Sequence, residues 1–267
     1  LFWSLEFLFW IFLLMETYII IILCIAAFAA GFVDAVVGGG GLIQTPVGLI
    51  LLPQESVATV VGTLKVPAFS GTFMAARQYM QQVTLRLKLL IPMAMVAFSA
   101  SCIGSWLLTR VHNAFMKPVL LIVLIGIAWY TWVKKDFGQR STPSLSPFKL
   151  KIIGLVLALV VGFYDGFIGP GTGSFLVLGC IVFLGFDFLH ASAHAKVINL
   201  ATNLGSILLF IAKGKIIWSI AIPMAFANAL GGWIGAKTAV ARGNQFIRRV
   251  FMLVVAATLL RFAWDVF

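Results

Sequence analysis

Charge is what this chain has least of. Only 10% of its 267 residues are charged, eight being acidic, and three more are histidines, while 62% are hydrophobic. With a mean hydropathy of +1.09, this composition excludes an ordinary soluble globular domain. Cysteine is scarce too. Cys24, Cys102 and Cys180 are odd in number, lie in apolar runs and lack CxxC spacing, so they read as small buried hydrophobes, not disulfides or metal ligands. No HExxH is present and neither His112 nor His190 forms a cluster with carboxylates at metal spacing, so neither a metal nor another cofactor is expected. The net charge of +11 comes from lysines and arginines at the ends of apolar runs. No basic patch with interleaved aromatics is left for a nucleic acid.

What is abundant is hydrocarbon. Apolar runs near residues 18–37, 56–76, 89–109, 115–133, 152–168, 188–212, 216–236 and 246–264 are mostly long enough to cross a bilayer as helices. The expected fold is an all-α polytopic membrane protein whose surroundings are the lipid bilayer. Two shorter pieces, 42–52 and 173–184, reach only about half the hydrocarbon thickness at ~1.5 Å per residue. Each follows a glycine-rich break. Residues 1–14 have neither a basic n-region nor a small-residue cleavage site, which argues against a cleaved signal peptide. Met15 is a candidate start, and the leading stretch is assigned no function. One extended polar linker, KKDFGQRSTPSLSPFKLK at 134–151, separates a first transmembrane repeat, 15–133, from a second, 152–267.

Similarity between the halves is direct. GFVDAVVGGGG from Gly31 lies over GFYDGFIGPGT from Gly162, an offset of 131 residues. The same offset superimposes Lys65 on Lys196, Ile91-Pro92-Met93-Ala94 on Ile222-Pro223-Met224-Ala225, Gly104 on Gly235 and Asn113 on Asn244. The halves are pseudo-symmetric repeats. If each is a re-entrant helix pair followed by three full spans, the second is inverted relative to the first. Twelve basic residues then fall on one side against four on the other, Arg110, Lys117, Lys213 and Lys215; a parallel arrangement gives ten against six. The positive-inside rule favours inversion, with the 134–151 linker in the cytoplasm.

Irregular backbone at membrane depth survives only where protein or a watery cavity surrounds it. Two glycine breaks in register therefore predict a cavity near the bilayer midplane. The helix N-termini at the breaks would offer amides and a positive dipole end to an anion, Gly39, Gly40 and Gly41 in one half and Gly171, Thr172 and Gly173 in the other. Lys65 and Lys196 lie roughly eight or nine residues into apolar helices, where a lysine costs at least ~2.5 kcal/mol. Asp34 and Asp165, also register partners, leave two readings open: structural ion pairs with the lysines, or lysines facing the anion and aspartates serving coupling or gating. Thr59, Thr63 and Ser70 near Lys65, and Asn199, Thr202 and Asn203 near Lys196, read equally as neutral donors to an oxyanion or as interhelical hydrogen bonds. His194 is a third coupling candidate; His112 and His190 fall near span ends.

GFVDAVVGGGGLIQTP and GFYDGFIGPGTGSF, with AHAKVINLATNLGSILLFIAKGKIIW downstream, resemble the sulfite exporter TauE/SafE family of permeases, across essentially all of 26–262. The subgroup similar to this chain carries GFYDGF and AHAK. The resemblance implies a prokaryotic cytoplasmic-membrane protein that moves small sulfur-containing anions such as sulfite or organosulfonates. Alternating access around a midplane site would use both glycine motifs and both lysines. An anion channel is the nearest rival; a membrane-embedded enzyme lacks any apparent nucleophile, base or metal set. A homo-oligomer is compatible with the sequence, which does not fix the state. Ala68 opposite Asn199 and Gly71 opposite Thr202 predict an asymmetric cavity.

Overall fold

The computed structural model describes residues 2–111 and 146–266, with side-chain surroundings for those between 17 and 250 except 244 and 248. The described residues are helical, without strands. The first half contributes α1 (Phe2–Val37), α2 (Gly40–Leu51), α3 (Val57–Met80) and α4 (Leu87–Leu108); the second contributes α5 (Pro147–Phe167), α6 (Thr172–Val182), α7 (Phe188–Ala212) and α8 (Trp218–Val266). α8 contains a break at Gly243, with φ 67° and ψ −166°. Among the described residues, six stretches are long and apolar enough to cross a membrane: Thr17–Val37, Val57–Met80, Leu87–Leu108, Pro147–Phe167, Phe188–Ala212 and Trp218–Gly243. The run expected at 115–133 and His112 lie outside the described residues. The polar linker ends sooner than its composition suggests, because Pro147, which suits a helix's first turn, opens α5 after Ser146.

The helices start and stop for local reasons. Ser56 caps α3 by accepting from the Thr59 amide at 3.1 Å, and Asp187 caps α7 by accepting from the His190 amide at 2.9 Å. Gly38 (φ 81°) ends α1, and Gly169 and Gly171 (φ 92° and 82°) separate α5 from α6. These left-handed conformations exclude most side chains.

Contacts fix the directions. Gln44 of α2 donates to the Leu64 carbonyl, and Leu23, Ala27, Leu52, Val60 and Leu64 share one apolar cluster, so α2 folds back along α1 as a helical hairpin. In the other half Tyr164 meets Phe175 edge-on at 5.3 Å, and Gly179 lies against Leu157, so α6 folds back along α5. Gly62, early in α3, lies against Phe210, late in α7. Farther along α3, Thr72 meets the earlier Lys196 through Asp34. α3 and α7, which occupy matching places in the halves, are therefore antiparallel.

The remaining packing exchanges partners between halves. α1 packs on α8 as α5 packs on α4, and α3 packs on α8 as α7 packs on α4. Small residues allow this closeness. Gly31 and Gly235 seat α1 against α8, while Gly162, Gly166 and Gly104 seat α5 against α4. Lipid offers no hydrophobic drive between helices, so close van der Waals contact at glycines is the main source of cohesion.

Candidate functional site

The tips of the two hairpins meet. The Ser174 amide donates to the Gly38 carbonyl at 3.0 Å, its hydroxyl donates to the Val37 carbonyl at 3.0 Å, and Gly38 and Gly173 are so close that a Cβ on either would enter the other's backbone. Only glycine permits this approach at a positive φ. Gly41 faces Pro170 less tightly, a Cβ there coming 3.0 Å from the Pro170 Cα. The amides that open α2 and α7's neighbour α6 come from Gly40, Gly41, Thr172 and Gly173; the first turn of any helix leaves such N–H groups without intrahelical carbonyls.

A cavity of about 60 Å³ lies at this junction, against the ~10–15 Å³ that one water requires. Its walls include Gly40, Gly41, Gly171, Thr172, Gly173, Asn199, Asn203, Lys65, Asp34 and Asp165 from the expected set, but neither Lys196 nor Gly39. Gly39 instead occupies the N-cap of α2.

The lysines are paired, and the pairs cross between halves. Lys65 Nζ stands 2.8 Å from Asp165 Oδ2 and donates to the Asp165 carbonyl at 2.8 Å. Lys196 Nζ stands 2.8 Å from Asp34 Oδ2 and donates to the Asp34 carbonyl as well. Both lysines are ion-paired, and Lys65, Asp34 and Asp165 also line the cavity. Each pair ties the central helix of one half, α3 or α7, to the hairpin of the other. Removing one partner of a buried pair leaves an uncompensated charge and costs ~3–5 kcal/mol.

The pairs differ in hydrogen bonding and access. Lys196 donates a well-aligned bond to Asp34 Oδ2, whereas no described residue donates to Asp165 Oδ2; Lys65 approaches that oxygen as an ion contact alone. The Asp34 side chain keeps 17% of its surface accessible and that of Asp165 only 3%. Thr72 gives Asp34 Oδ2 a further, long contact of 3.4 Å.

Neutral polar residues complete the walls. Asn203 Nδ2 donates to Asn199 Oδ1 at 3.3 Å. Asn228 Nδ2 donates to Gln44 Oε1 at 2.8 Å, and Gln44 Nε2 passes the chain on to the Leu64 carbonyl at 2.9 Å. Each of these amides has two N–H donors, so one on Asn228 and one on Gln44 remain beyond the bonds just named. Gln44, Thr45, Thr72 and Asn228 were not singled out in the sequence, although Gln44 and Asn228 are conspicuous as amides in otherwise apolar runs. The absence of a matching amide in the other half hid them.

Other candidates have structural work. Ser70 donates to the Ala225 carbonyl, Thr63 accepts from the Ile217 amide, Thr59 bonds Ser56 at the α3 cap, and Thr202 donates to the Asn199 carbonyl. His194 lies off the cavity. Its Nε2 accepts from the Arg86 amide at 3.1 Å, its Nδ1 bonds the His190 carbonyl at 2.7 Å, and its ring is 4.5 Å from Phe186. An acceptor at Nε2 beside a donor at Nδ1 defines the neutral Nδ1–H tautomer. His190 pairs with Asp187 at 2.8 Å in a more open position.

Among the described residues, no group of three or more His, Cys, Asp or Glu could hold a metal ion. The site is a buried meeting of glycine turns, opposite charges and neutral amides.

The family model for the sulfite exporter TauE/SafE matches residues 23–262. Among similar proteins is the probable membrane transporter protein ORF9 of a Sinorhizobium species, 35% identical over 246 residues and covering 91% of this chain and 92% of its own length. A probable membrane transporter protein of Haemophilus influenzae is 33% identical over 88% of this chain and 90% of its own length. The probable membrane transporter protein YfcA of Escherichia coli is 32% identical over 91% and 89% respectively. No solved structure matches.

Proposed function

We propose, from the premise that this chain belongs to the sulfite exporter TauE/SafE family, that it is a secondary transporter of small sulfur-containing anions, sulfite or organosulfonates. We place it in a prokaryotic cytoplasmic membrane. The observation that carries this reading is the contact of the two hairpin tips beside one small cavity whose wall holds Asp34, Lys65, Asp165, Asn199, Asn203 and Asn228, in a chain with apolar helices long enough to span a membrane. Gly40, Gly41, Gly173, Lys65, Gln44 and Asn228 line that one volume and carry N–H groups of the kind an oxyanion requires, which supports the reading.

The two halves act as inverted repeats, each hairpin entering and leaving the membrane on its own side. The antiparallel course of α3 and α7 supports this, as does the exchange of partners between α1, α8, α5 and α4. Alternating access follows when one hairpin with its paired central helix moves against the other around the fixed site. Neutral amides and a single wall-lining lysine favour modest affinity, which a carrier needs in order to release its load.

Two measurements test the reading. In purified protein, sulfite, sulfate, thiosulfate, sulfoacetate and taurine are compared for thermal stabilisation; a ligand at 100 times its Kd adds ~2.7 kcal/mol to the folded state. At least one sulfur anion is expected to raise Tm, and Lys65→Met or Asn228→Ala to reduce that rise. In proteoliposomes the same anion should show saturable countertransport. Flux without countertransport identifies a channel, chemical change of the solute an enzyme, and neither binding nor flux removes the anion site.

A further inference from the structure

The cavity wall is electrically lopsided. It carries two carboxylates, Asp34 and Asp165, but one ammonium, Lys65, because Lys196 sits behind Asp34 and off the wall. No other Lys, Arg or His lines it. Across the site as a whole, two ammoniums and two carboxylates already balance. An anion entering here would leave a net negative charge buried away from water, an expensive arrangement that proteins avoid by taking up a proton.

We propose that Asp34 takes up that proton, so that anion and proton cross the membrane together in the same direction. The inference rests on the anion-transport reading above and specifies its coupling. Accessibility selects Asp34 over Asp165, and two features that both aspartates share, an oxygen without a donor and a lysine also bonded to the aspartate's own carbonyl, fit it to take up a proton. Its side chain lines the cavity with 17% of its surface accessible, against 3% for Asp165. No described residue donates to its Oδ1, the hydrogen bonds from Lys196 and Thr72 both going to Oδ2. Its partner Lys196 also donates to the Asp34 backbone carbonyl and so stays anchored when the carboxylate is neutral. His194 is excluded, since both ring nitrogens serve backbone groups at the far end of the α4–α7 contact.

The groups facing Asp34 are Lys196 from α7, Thr72 from α3 and, across the cavity, Lys65 and Asp165. From α3 the Tyr79 hydroxyl also lies nearby, donating to the Ala35 carbonyl. From α8 the only polar wall residue is the neutral Asn228. The cycle is balanced: a proton from water on the entry side joins an Asp34 oxygen as the anion binds, Lys196 loses its carboxylate counter-charge, and both charges leave on the other side. Asp34 sits one turn before the Gly38 hinge of α1, so its protonation and the loosening of the Lys196 tie act at the tip that must move.

The test uses proteoliposomes of the whole protein containing the pH dye pyranine, presented with methanesulfonate, a monoanion at every pH used, and separately with sulfite. Methanesulfonate entry should acidify the lumen with one proton per anion, and a one-unit inward proton gradient should sustain about tenfold accumulation. Asp34→Asn keeps an acceptor for Lys196; its proton-to-anion ratio should fall to zero, with accumulation reduced to equilibration. Asp165→Asn should keep a ratio of one in whatever flux it retains. Wild-type anion entry without acidification overturns the proton coupling and leaves the transport reading intact, as does a ratio of one in Asp34→Asn for its assignment to Asp34. If neither anion enters saturably, the transport reading fails and the coupling falls with it.

Discussion

The hairpin of α1 and α2 and the hairpin of α5 and α6 turn on glycines 131 residues apart, Gly38 at φ 81° and Gly169 at φ 92°. Their side chains tell a different story. Gln44 in the first hairpin stands where the second has Phe175, and Asn228 on α8 stands where α4 has Ala97. Conversely Asn199 on α7 answers Ala68 on α3. Backbone features that set hinge and crossing angle are duplicated, as are the Lys and Asp positions, while the neutral amides of the cavity wall are not. Duplication explains how the cavity is built, and divergence explains how a solute would have one preferred orientation within it.

The largest expected effect comes from breaking the two ion pairs separately. Lys65→Met strands Asp165, a carboxylate with 3% side-chain exposure, and should cost ~3–5 kcal/mol in reversible unfolding or the equivalent fall in Tm. Lys196→Met strands Asp34, whose 17% exposure on the cavity lets water share the charge, so its loss should be smaller. Equal losses would mean that both pairs sit in equivalent surroundings, and the comparison would fail.

The glycine turns come next. Alanine at either Gly38 or Gly169 must adopt a positive φ, a strain of ~1–3 kcal/mol. At Gly38 the added methyl would also strike the backbone of Gly173 and Ser174, which cannot yield, whereas at Gly169 its nearest neighbours are the Asp165 carbonyl at 3.3 Å and the Lys65 Nζ at 3.5 Å. Gly38→Ala should therefore lower Tm more than Gly169→Ala. Gly214→Ala, at φ 62° with open space around it, isolates the strain alone.

Legibility in the sequence followed the physics of each feature. The apolar helices among the described residues and the short pieces after the breaks were readable because hydrocarbon length and glycine conformation are local properties: 42–52 and 173–184 became Gly40–Leu51 and Thr172–Val182. Lys65, Lys196, Asp34 and Asp165 stood out as costly charges in apolar runs. Which aspartate met which lysine was hidden, because the pairing crosses between halves and depends on the tips meeting. Gln44 and Asn228 escaped for a related reason. They gain their role from each other across 184 residues, and the repeat offers no second copy to draw attention to them.

The smallest effect concerns His194, and its counterpart in the other half clarifies it. Thr63, the register partner of His194, accepts the Ile217 amide just as His194 accepts the Arg86 amide, and Ile217 is the register partner of Arg86. In both places a side chain on the third turn or earlier of a central helix satisfies the amide at the start of a neighbouring span. A hydroxyl performs this role in one half, so ionisation is not required for it in the other. His194→Gln keeps an acceptor and should cost ~1 kcal/mol, near the net worth of one hydrogen bond. The pH profile of anion uptake should stay where it was. A displaced profile would make His194 a participant in proton movement and would separate it from Thr63; an unchanged one leaves both as fasteners of the pseudo-symmetric scaffold.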